Sequence, residues 1–317
     1  MRRVIAPEQV LRIAAKQAGL VSARQCARAG VSSDRLTSLV RAGTWERVVR
    51  GVYDTGAKDD RISAWDAARL RSAWLGLLAC GPRAIAVGSC ALALRGIWGL
   101  PLAIEPQVAL PAGHGTPGRG GIRVRRFDAG MTTTLIRGRT VATLDYAIAQ
   151  ALPELTRDHA VAVLDHVINR KLIDLSELRR TQQLIQGRRG AARTHEWWAL
   201  VDGRAESPLE TSARLACHDA GMPPDDLQII ITDRSGRFLG RGDMGWRRED
   251  GTWVIAELDG IEFHDTPIAV FRDRERQNEL QVNGAVTVLR FTSADVRSRV
   301  ILEKVRQALG RTRSSAA

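Results

Sequence analysis

A run of apolar residues that ends in acids places the strongest constraint on how this chain folds. The stretch WVIAELDGIEFHD (253–265) leads from three apolar residues, Val254 to Ala256, directly to Glu257 and Asp259. A short apolar run is typical of a buried strand, and buried strands exclude carboxylates because removing a charge from water is costly. The strand is therefore predicted to lie inside a sheet, and its acidic end requires a compensating partner.

The segment before this strand predicts that a third acid joins the pair. RFLGRGDMGW and TWVIAELDG flank the turn sequence RREDG, so the two segments are predicted to form a hairpin. Because strand side chains alternate, Glu257 and Asp259 share one face. A three-residue loop with a left-handed Gly251 places Asp243 opposite Glu257, whereas a two-residue loop turns Asp243 to the other face. The glycine favours the three-residue loop.

The resulting cluster of carboxylates is typical of a metal site. Asp243, Glu257 and Asp259 would repel one another without a cation, and ligand sets made only of oxygen suit Mg²⁺ or Mn²⁺. The alternative interpretation is an exposed hairpin end with solvated acids. The apolar residues next to the acids argue against that alternative, so we predict that the three carboxylates bind a divalent metal.

Residues 205–300 resemble the PD-(D/E)xK nuclease superfamily, and more closely its very-short-patch-repair-like endonuclease branch. The resemblance rests on SPLE (207–210), GRGDM (240–244), AELDG (256–260), RDRERQNEL (272–280) and VTVLRFTSADV (286–296). It implies a mixed sheet flanked by helices, and metal-dependent hydrolysis of phosphodiester bonds. The residues to which it assigns the catalytic site are Glu210, Asp243, Glu257, Asp259 and His264.

Two positions of this match leave alternatives open. Asp259 stands where the family signature has a lysine, so Arg274 and Arg276 are the predicted sources of positive charge and the predicted nucleic-acid contacts of this region. His264 is the predicted base, because an arginine does not lose its proton. Glu210 has a second interpretation, since Ser-Pro-x-Glu is also a helix capping box.

The N-terminal segment has the pattern of a different module. PEQVLRIAAKQAG (7–19), SARQ (22–25) with the residues up to Gly30, and VSSDRLTSLVRAG (31–43) carry the spacing and caps of three helices. Two short helices joined by a tight turn are the helix-turn-helix pattern. TWERVVRGVYDTG (44–56) alternates like a hairpin with Arg50-Gly51 at the bend, which would form a wing.

Positive charge is concentrated in the same segment. The chain has a net charge of +12, and residues 1–56 hold ten Lys/Arg against four Asp/Glu, which is half of that charge. Hydroxyls and arginines suit phosphates and guanine edges, so we predict that this segment binds double-stranded DNA. The alternative is a protein-interaction module with solvated arginines. The predicted DNA contacts are Ser33, Arg35, Thr37, Ser38, Arg41, Arg47 and Arg50.

The order helix-turn-helix followed by RVVRGVY (47–53) resembles the N-terminal domain of the AbiEi family of antitoxins, which are winged-helix transcriptional repressors. The resemblance continues through AVGSCALALRGIWGLP (86–101), a strand pair around QVALP and IRVRRF, and RTVATLDYAIAQ (139–150). It implies an α/β module over residues 60–200. A helix near 63–80 carries Trp65, Leu70, Trp74 and Leu77 at a spacing typical of a core.

These features predict an α/β multidomain protein. Its parts are a winged helix-turn-helix over residues 1–58, an AbiEi-like α/β middle domain over 59–200, and a restriction-endonuclease-like mixed sheet flanked by helices over 201–312. The four cysteines show neither zinc-site nor disulfide spacing, and no apolar run is long enough to cross a bilayer, so we expect a cytoplasmic location.

The predicted function is that of a DNA-binding protein with a Mg²⁺-dependent endodeoxyribonuclease domain, in a prokaryotic defence or toxin–antitoxin locus. A cognate toxin would be a second partner. The alternative is a non-enzymatic repressor and antitoxin whose nuclease fold is degenerate. The sequence leaves open the DNA site, the choice between DNA and RNA, and the oligomeric state.

Overall fold

The computed structural model describes residues 7–111, 120–126, 130–232, 235–259 and 286–310. The chain divides into two compact units, Met1–Thr156 with Asp174–His195, and Arg157–Ile173 with Glu196–Ala317. The three-domain division with borders after residues 58 and 200 stays a prediction, and residues 157–173 belong to the second compact unit. Across the described residues, no helix is both long enough and apolar enough to span a bilayer.

The first unit begins with the predicted helices and hairpin. Its first elements are α1 (Glu8–Ala15), β1 (Leu20–Ser22), α2 (Ala23–Arg28), α3 (Ser33–Arg41), β2 (Glu46–Val49) and β3 (Val52–Asp54). β2 and β3 form the hairpin, and β1 adds a third antiparallel strand that the sequence pattern does not predict, in the order β1-β3-β2. The helices pack on one apolar core made of Val10, Ala14, Val21, Cys26, Val31, Leu36, Leu39 and Trp45.

Local caps explain where these helices begin. Ser22 and Gln25 form the predicted capping box of α2, and the Ser32 side chain caps α3 by accepting the Arg35 N–H. The bend between β2 and β3 is Arg50-Gly51, where Gly51 has a φ of +78°, a conformation that glycine adopts without strain. The predicted helix-turn-helix and wing are therefore confirmed as local structures.

A second layer of the first unit is a five-stranded sheet with helices. Its elements are α4 (Ala64–Cys80), β4 (Ile85–Ala86), α5 (Gly88–Leu94), β5 (Gln107–Ala109), β6 (Arg123–Arg125), β7 (Thr133–Ile136), β8 (Arg139–Ala142), α6 (Leu144–Ala151) and α8 (Leu175–Ile185). Between α6 and α8 the chain forms α7 (Arg157–Asn169), which belongs to the second unit. The strand order is β6-β5-β4-β8-β7, and β5 pairs with β6 as predicted.

The prediction of four core residues in α4 is wrong for one of them. Leu70, Trp74 and Leu77 are buried, whereas Trp65 is 52% exposed. Nine residues separate the two tryptophans, and at 3.6 residues per turn that separation places Trp65 roughly half a turn away from Trp74. Trp65 therefore points away from the layer that buries Trp74.

The second unit contains a four-stranded mixed sheet. Its elements after α7 are α9 (Pro208–Asp219), β9 (Asp226–Thr232), β10 (Phe238–Arg247), β11 (Trp253–Asp259), β12 (Val286–Thr292), α10 (Ser293–Arg297) and α11 (Val300–Ala308). The strand order is β12-β11-β10-β9, in which β11 and β12 are parallel and the other pairs antiparallel. The predicted mixed sheet is confirmed, its likeness to restriction endonucleases stays a prediction, and the motif RDRERQNEL (272–280) lies outside the described residues.

Both faces of this sheet are apolar at its centre. Val254 and Ala256 pack with residues of α9, α10 and α11, and Ile255 packs on the opposite side with Ile231 and Leu239. β10 passes close to Ile255, since a Cβ at Gly242 would lie only 2.1 Å from the Ile255 Cγ2 atom. Packing against Ile255 therefore requires glycine at position 242, the second glycine of GRGDM.

A buried ion pair joins α7 to α9. The Asp165 side chain is 1% exposed, and its Oδ2 accepts hydrogen bonds from Thr211 Oγ1 at 2.8 Å and Arg214 Nη2 at 2.9 Å. Its Oδ1 accepts the Asp202 N–H at 2.7 Å. Burial raises the pKa of Asp165 to about 6, against the opposing charge of Arg214. These contacts place α7 in the second unit.

Candidate functional site

The side chains of the predicted DNA contacts all lie on the surface of α3 and of the β2–β3 hairpin. Leu36 and Leu39 are buried in the core and Val40 packs against it, so the remaining residues of α3 face solvent. The seven predicted contacts, all exposed, are Ser33, Arg35, Thr37, Ser38, Arg41, Arg47 and Arg50. One continuous segment therefore presents arginines from both a helix and a hairpin.

Two hydroxyls of this surface are engaged within the helix. Thr37 Oγ1 donates to the Ser33 carbonyl and Ser38 Oγ to the Asp34 carbonyl, each at 2.9 Å. A hydroxyl that donates to its own helix offers an oxygen lone pair but no proton to a phosphate. The attraction for phosphate in this arrangement therefore comes from the guanidinium groups.

The hairpin is held against the helices by aromatic packing. Trp45, just before β2, is 3% exposed in the core and its ring lies 6.4 Å from the ring of Tyr53 in β3. Arg47 pairs with Tyr53 across the hairpin, and the register shifts between Arg47 and Val49. The position of Arg50 at the tip is thus fixed relative to α3 by the same core that fixes the helix.

The acidic site, which is centred on Asp243 and Glu257, lies where the pairing of β10 with β11 ends. The register runs from Arg247↔Trp253 to Met244↔Ala256, and counting one step further brings Asp243 to Glu257. The turn agrees with the predicted three-residue loop, because Arg248 N donates to the Thr252 carbonyl and Gly251 has a φ of +81°. The prediction that this loop turns Asp243 toward Glu257 is confirmed.

Asp243 is the most perturbed carboxyl group of this site. Its Oδ2 accepts the Leu258 N–H at 2.7 Å. The pKa of Asp243 is raised to about 7, chiefly by burial and also by the charges of Glu210 and Glu257, whereas the Leu258 N–H and Arg241 act in the opposite direction. Two other acids, Glu210 and Glu257, therefore act electrostatically on Asp243.

Glu257 has a partner that the sequence does not reveal. Its Oε2 lies 3.1 Å from Arg290 Nη2, and its side chain is only 13% exposed. Arg290 lies on β12, opposite Glu257 in the parallel register. The sequence identifies Arg290 only as the end of an apolar strand, because the register of two parallel strands is not encoded in either strand alone.

Glu210 takes part in the cap of α9, and its catalytic role stays a prediction. Ser207 caps α9 by accepting the Glu210 N–H, and Ser207 Oγ donates to Glu210 Oε1 at 2.8 Å. Glu210 Oε2 accepts the Glu206 N–H and the Gln228 amide, each at 2.9 Å. Burial raises the pKa of Glu210, and its charge reaches Asp243. Capping explains its position in α9, and proximity to Asp243 adds it to the acidic site.

Gln228 is a second residue that the sequence pattern does not identify. It lies in β9 between the pairs Leu227↔Met244 and Ile229↔Gly242, which places it beside Asp243. Its φ of +54° is strained for a residue with a side chain, and its Oε1 is buried without a hydrogen-bond partner among the described residues. Strained backbone of this kind is concentrated at functional sites.

The fourth predicted acid, Asp259, is not part of the pair that the β10–β11 register aligns. Asp259 lies at the exposed end of β11, opposite Thr292, two residues beyond Glu257. Over the part of the chain that the structure describes, no three His, Cys, Asp or Glu side chains form a group that could hold a metal ion. His264, Arg274 and Arg276 lie outside the described residues. Metal binding therefore stays a prediction. Its proposed ligands are Asp243 and Glu257, which the strand register places opposite each other.

Comparison with known proteins covers parts of the chain. Residues 8–53, from α1 to β3, match the AbiEi antitoxin family of transcriptional regulators. Two uncharacterized proteins of Mycobacterium tuberculosis, from strains CDC 1551 / Oshkosh and ATCC 25618 / H37Rv, are each 32% identical over 162 residues. These alignments cover 51% of this chain and 58% of each relative, so the chain spans just over half the length of the relatives it matches. The predicted resemblance to AbiEi proteins is confirmed for the N-terminal segment alone.

Proposed function

We propose that this protein binds double-stranded DNA through α3 and the β2–β3 hairpin and acts as a transcriptional regulator of the AbiEi antitoxin type. One observation carries the proposal. The segment that matches those regulators holds Arg41, Arg47 and Arg50 exposed on a helix-turn-helix and its wing. A cognate toxin is the proposed second partner, since the matched family consists of antitoxins.

Electrostatics supports DNA as the ligand. Residues 1–56 carry a net charge of +6, and a protein that neutralises phosphates releases the counterions bound to them. A recognition helix in the major groove reads base edges, whereas a wing contacts the backbone. Arg41 is therefore assigned to base edges or nearby phosphates, and Arg47 and Arg50 to phosphates.

The test is the salt dependence of DNA affinity in the full chain. Replacing Arg41, Arg47 and Arg50 by alanine should flatten the slope of log K against log salt by about two to three, since each phosphate contact contributes about 0.9. The matched control replaces Arg83, Arg297 and Lys304, which are exposed residues outside this surface, and removes the same charge. Equal slopes for the two triple variants would show that net charge alone drives binding and would refute the proposal.

A second proposed function is Mg²⁺-dependent hydrolysis of phosphodiester bonds at the acidic site. The observation in its favour is the register that aligns Asp243 with Glu257, together with the charges of Glu210 and Glu257 that act on Asp243. These groups offer only oxygen ligands, which suit Mg²⁺ or Mn²⁺, and Asp243 with Glu257 would hold the ion. When bound, the ion would activate water and offset the charge of the scissile phosphate.

The residues around this pair have their own assigned roles. Arg290 places a positive charge beside Glu257, in the region where the family signature expects a lysine. Glu210 and Gln228 hold each other by a hydrogen bond and keep the first turn of α9 near Asp243. The competing proposal is a nuclease fold without activity, in which the Arg290–Glu257 ion pair is structural. Cutting assays on Asp243 and Glu257 variants separate the two.

A further inference from the structure

A cavity in the first unit shares no lining residue with the proposed DNA-binding surface or the acidic site. Its volume is about 790 Å³, within the range of small-molecule sites in proteins. One side is formed by α1 and α2, and the other by α4, the segment before it and the β7–β8 turn. The residues that define its chemistry are Ile13, Lys16, Gln25, Ile62, Trp74 and Arg137.

Part of the lining is apolar. Ile13, Ile62 and the indole of Trp74 contribute hydrocarbon surface to the cavity. Trp74 is 3% exposed, and its Nε1 has no hydrogen-bond partner among the described residues. The guanidinium of Arg139 lies 5.7 Å from the centre of the same ring. An occupant of this cavity therefore needs an apolar or aromatic body.

The charged part of the lining is positive in sum. Asp59 is neutralised by Arg61, whose Nε and Nη2 donate to the two carboxylate oxygens at 2.8 Å each. In the described parts of the chain, no ion pair includes Lys16 or Arg137, although Arg137 is near enough to Asp59 to help lower the pKa of that carboxyl group. Two cations are thus left to act on whatever fills the cavity, and they favour an anion.

Arg137 is held in an uncommon backbone conformation. It forms the two-residue turn between β7 and β8 with Gly138, and its φ is +51°. Such turns favour asparagine or glycine, because the left-handed region is unfavourable for a residue with a Cβ. A strained turn that presents a cation to a cavity is consistent with ligand binding, because strain is concentrated at functional sites.

We propose that this cavity binds a small organic anion with an aromatic or aliphatic body, whose acidic group pairs with Lys16 and Arg137. Gln17 and Gln25 also line the cavity, and their amides are hydrogen-bonded to each other and to neighbouring residues. Gln25 Nε2 donates to Gln17 Oε1 at 2.9 Å, and Gln25 also closes the capping box of α2. An occupant that contacts Gln25 therefore contacts the start of the helix-turn-helix.

The test uses 8-anilinonaphthalene-1-sulfonate, a fluorescent aromatic sulfonate, titrated into the full chain. The variant Lys16→Gln with Arg137→Asn removes both cations and keeps a residue that tolerates the turn. Its affinity for the probe should fall about tenfold, since both cations are exposed and the loss of two such ion pairs approaches that change. The matched control, Arg83→Gln with Arg297→Asn, should stay within about twofold of wild type, because exposed charges at a distance contribute little. Equal probe affinity in the two double variants would overturn the proposal.

A second variant shows whether the first variant loses probe binding only because it fails to fold. Ile62→Trp fills the cavity without changing its charge and should weaken probe binding, while the melting temperature stays near that of wild type. Phe238→Ser removes an exposed aromatic side chain of the second unit and should leave probe binding unchanged. If Phe238→Ser abolishes binding and Ile62→Trp does not, the probe binds elsewhere and the proposal is wrong. If duplex DNA displaces the probe and the Lys16–Arg137 variant loses duplex affinity, these cations belong to the DNA surface, which also refutes it.

Discussion

The carboxylate of Asp243 in β10 accepts the backbone N–H of Leu258 in β11 at 2.7 Å. The regular pairing of these strands stops one residue earlier, at Met244↔Ala256. Beyond Met244↔Ala256, a side-chain hydrogen bond therefore replaces the backbone hydrogen bonds of the strand pairing. This bond holds the Asp243 carboxyl group beside Glu257. Asp243 and Glu257, which are not neighbours in sequence, therefore interact through their charges, and the charge of Glu257 raises the pKa of Asp243.

Cutting should depend on both members of this unit. We expect Asp243→Ala and Glu257→Ala each to abolish Mg²⁺-dependent plasmid cleavage, because each removes one of the two carboxylates that face each other. Duplex affinity should stay near wild type, since binding is assigned to the first unit. The matched control is Glu249→Ala, which removes an exposed acid from the turn of the same hairpin. Cleavage at the wild-type rate in both site variants would remove the case for a nuclease.

The stability of the second unit should depend on pH through Asp243. Its folded-state pKa of about 7 lies above the ordinary value of 3.8, so the protonated form stabilises the fold below about pH 4. That stabilisation is lost as the pH rises through about 7. Asp243→Asn keeps an acceptor for the Leu258 N–H without the charge.

Without metal, the Asn variant should therefore melt near wild type at pH 4 and above wild type at pH 8. The gain should amount to about 2–4 °C for each kcal/mol of charge penalty removed. Thermal denaturation in chelator at several pH values measures it. Added Mg²⁺ should narrow the difference at pH 8 by stabilising only the wild type. A difference between the two proteins that is constant over this pH range contradicts a raised pKa.

Arg41 and Arg50 should differ in how they contribute to DNA affinity. If Arg41 on α3 reads a base edge, Arg41→Ala should cost about 1–3 kcal/mol on a preferred duplex and much less on a scrambled one. Arg50→Ala at the wing tip should weaken both duplexes equally, because phosphates carry no sequence information. Fluorescence anisotropy with both duplexes at one salt concentration measures the contrast. Equal losses for Arg41→Ala on the two duplexes would reassign Arg41 to the phosphate backbone.

The ion pair between α7 and α9 should carry much of the stability of the second unit. Asp165→Ala leaves the guanidinium of Arg214 without its buried partner, and breaking a buried pair costs about 3–5 kcal/mol. Asp158→Ala, on the same helix, removes an exposed acid that pairs with Arg157, and should cost at most about 1 kcal/mol. Urea unfolding of the full chain compares the two. Similar midpoints for both variants would show that α7 is not anchored by Asp165.

Much of the local structure is determined by the sequence alone. The capping box of Ser22 with Gln25, the Ser32 cap, and the turns at Gly51 and Gly251 all involve residues within a few positions of one another. Such contacts form from neighbouring residues whatever the rest of the chain does. This is why the helices of the winged segment and the β10–β11 hairpin could be predicted, including the turn that brings Asp243 to Glu257.

Only the tertiary structure decided which distant residues meet. Arg290 reaches Glu257 through a parallel register, and Asp165 reaches Arg214 from a helix that the sequence assigns to another domain. The cavity beside Trp74 likewise depends on how separate elements pack. Hydrophobic periodicity tells which face of an element is buried but not what packs against it, so long-range pairings are decided by packing. The caps and turns of this protein are therefore set locally by its sequence, whereas the ion pairs Arg290–Glu257 and Asp165–Arg214 are set by its tertiary contacts.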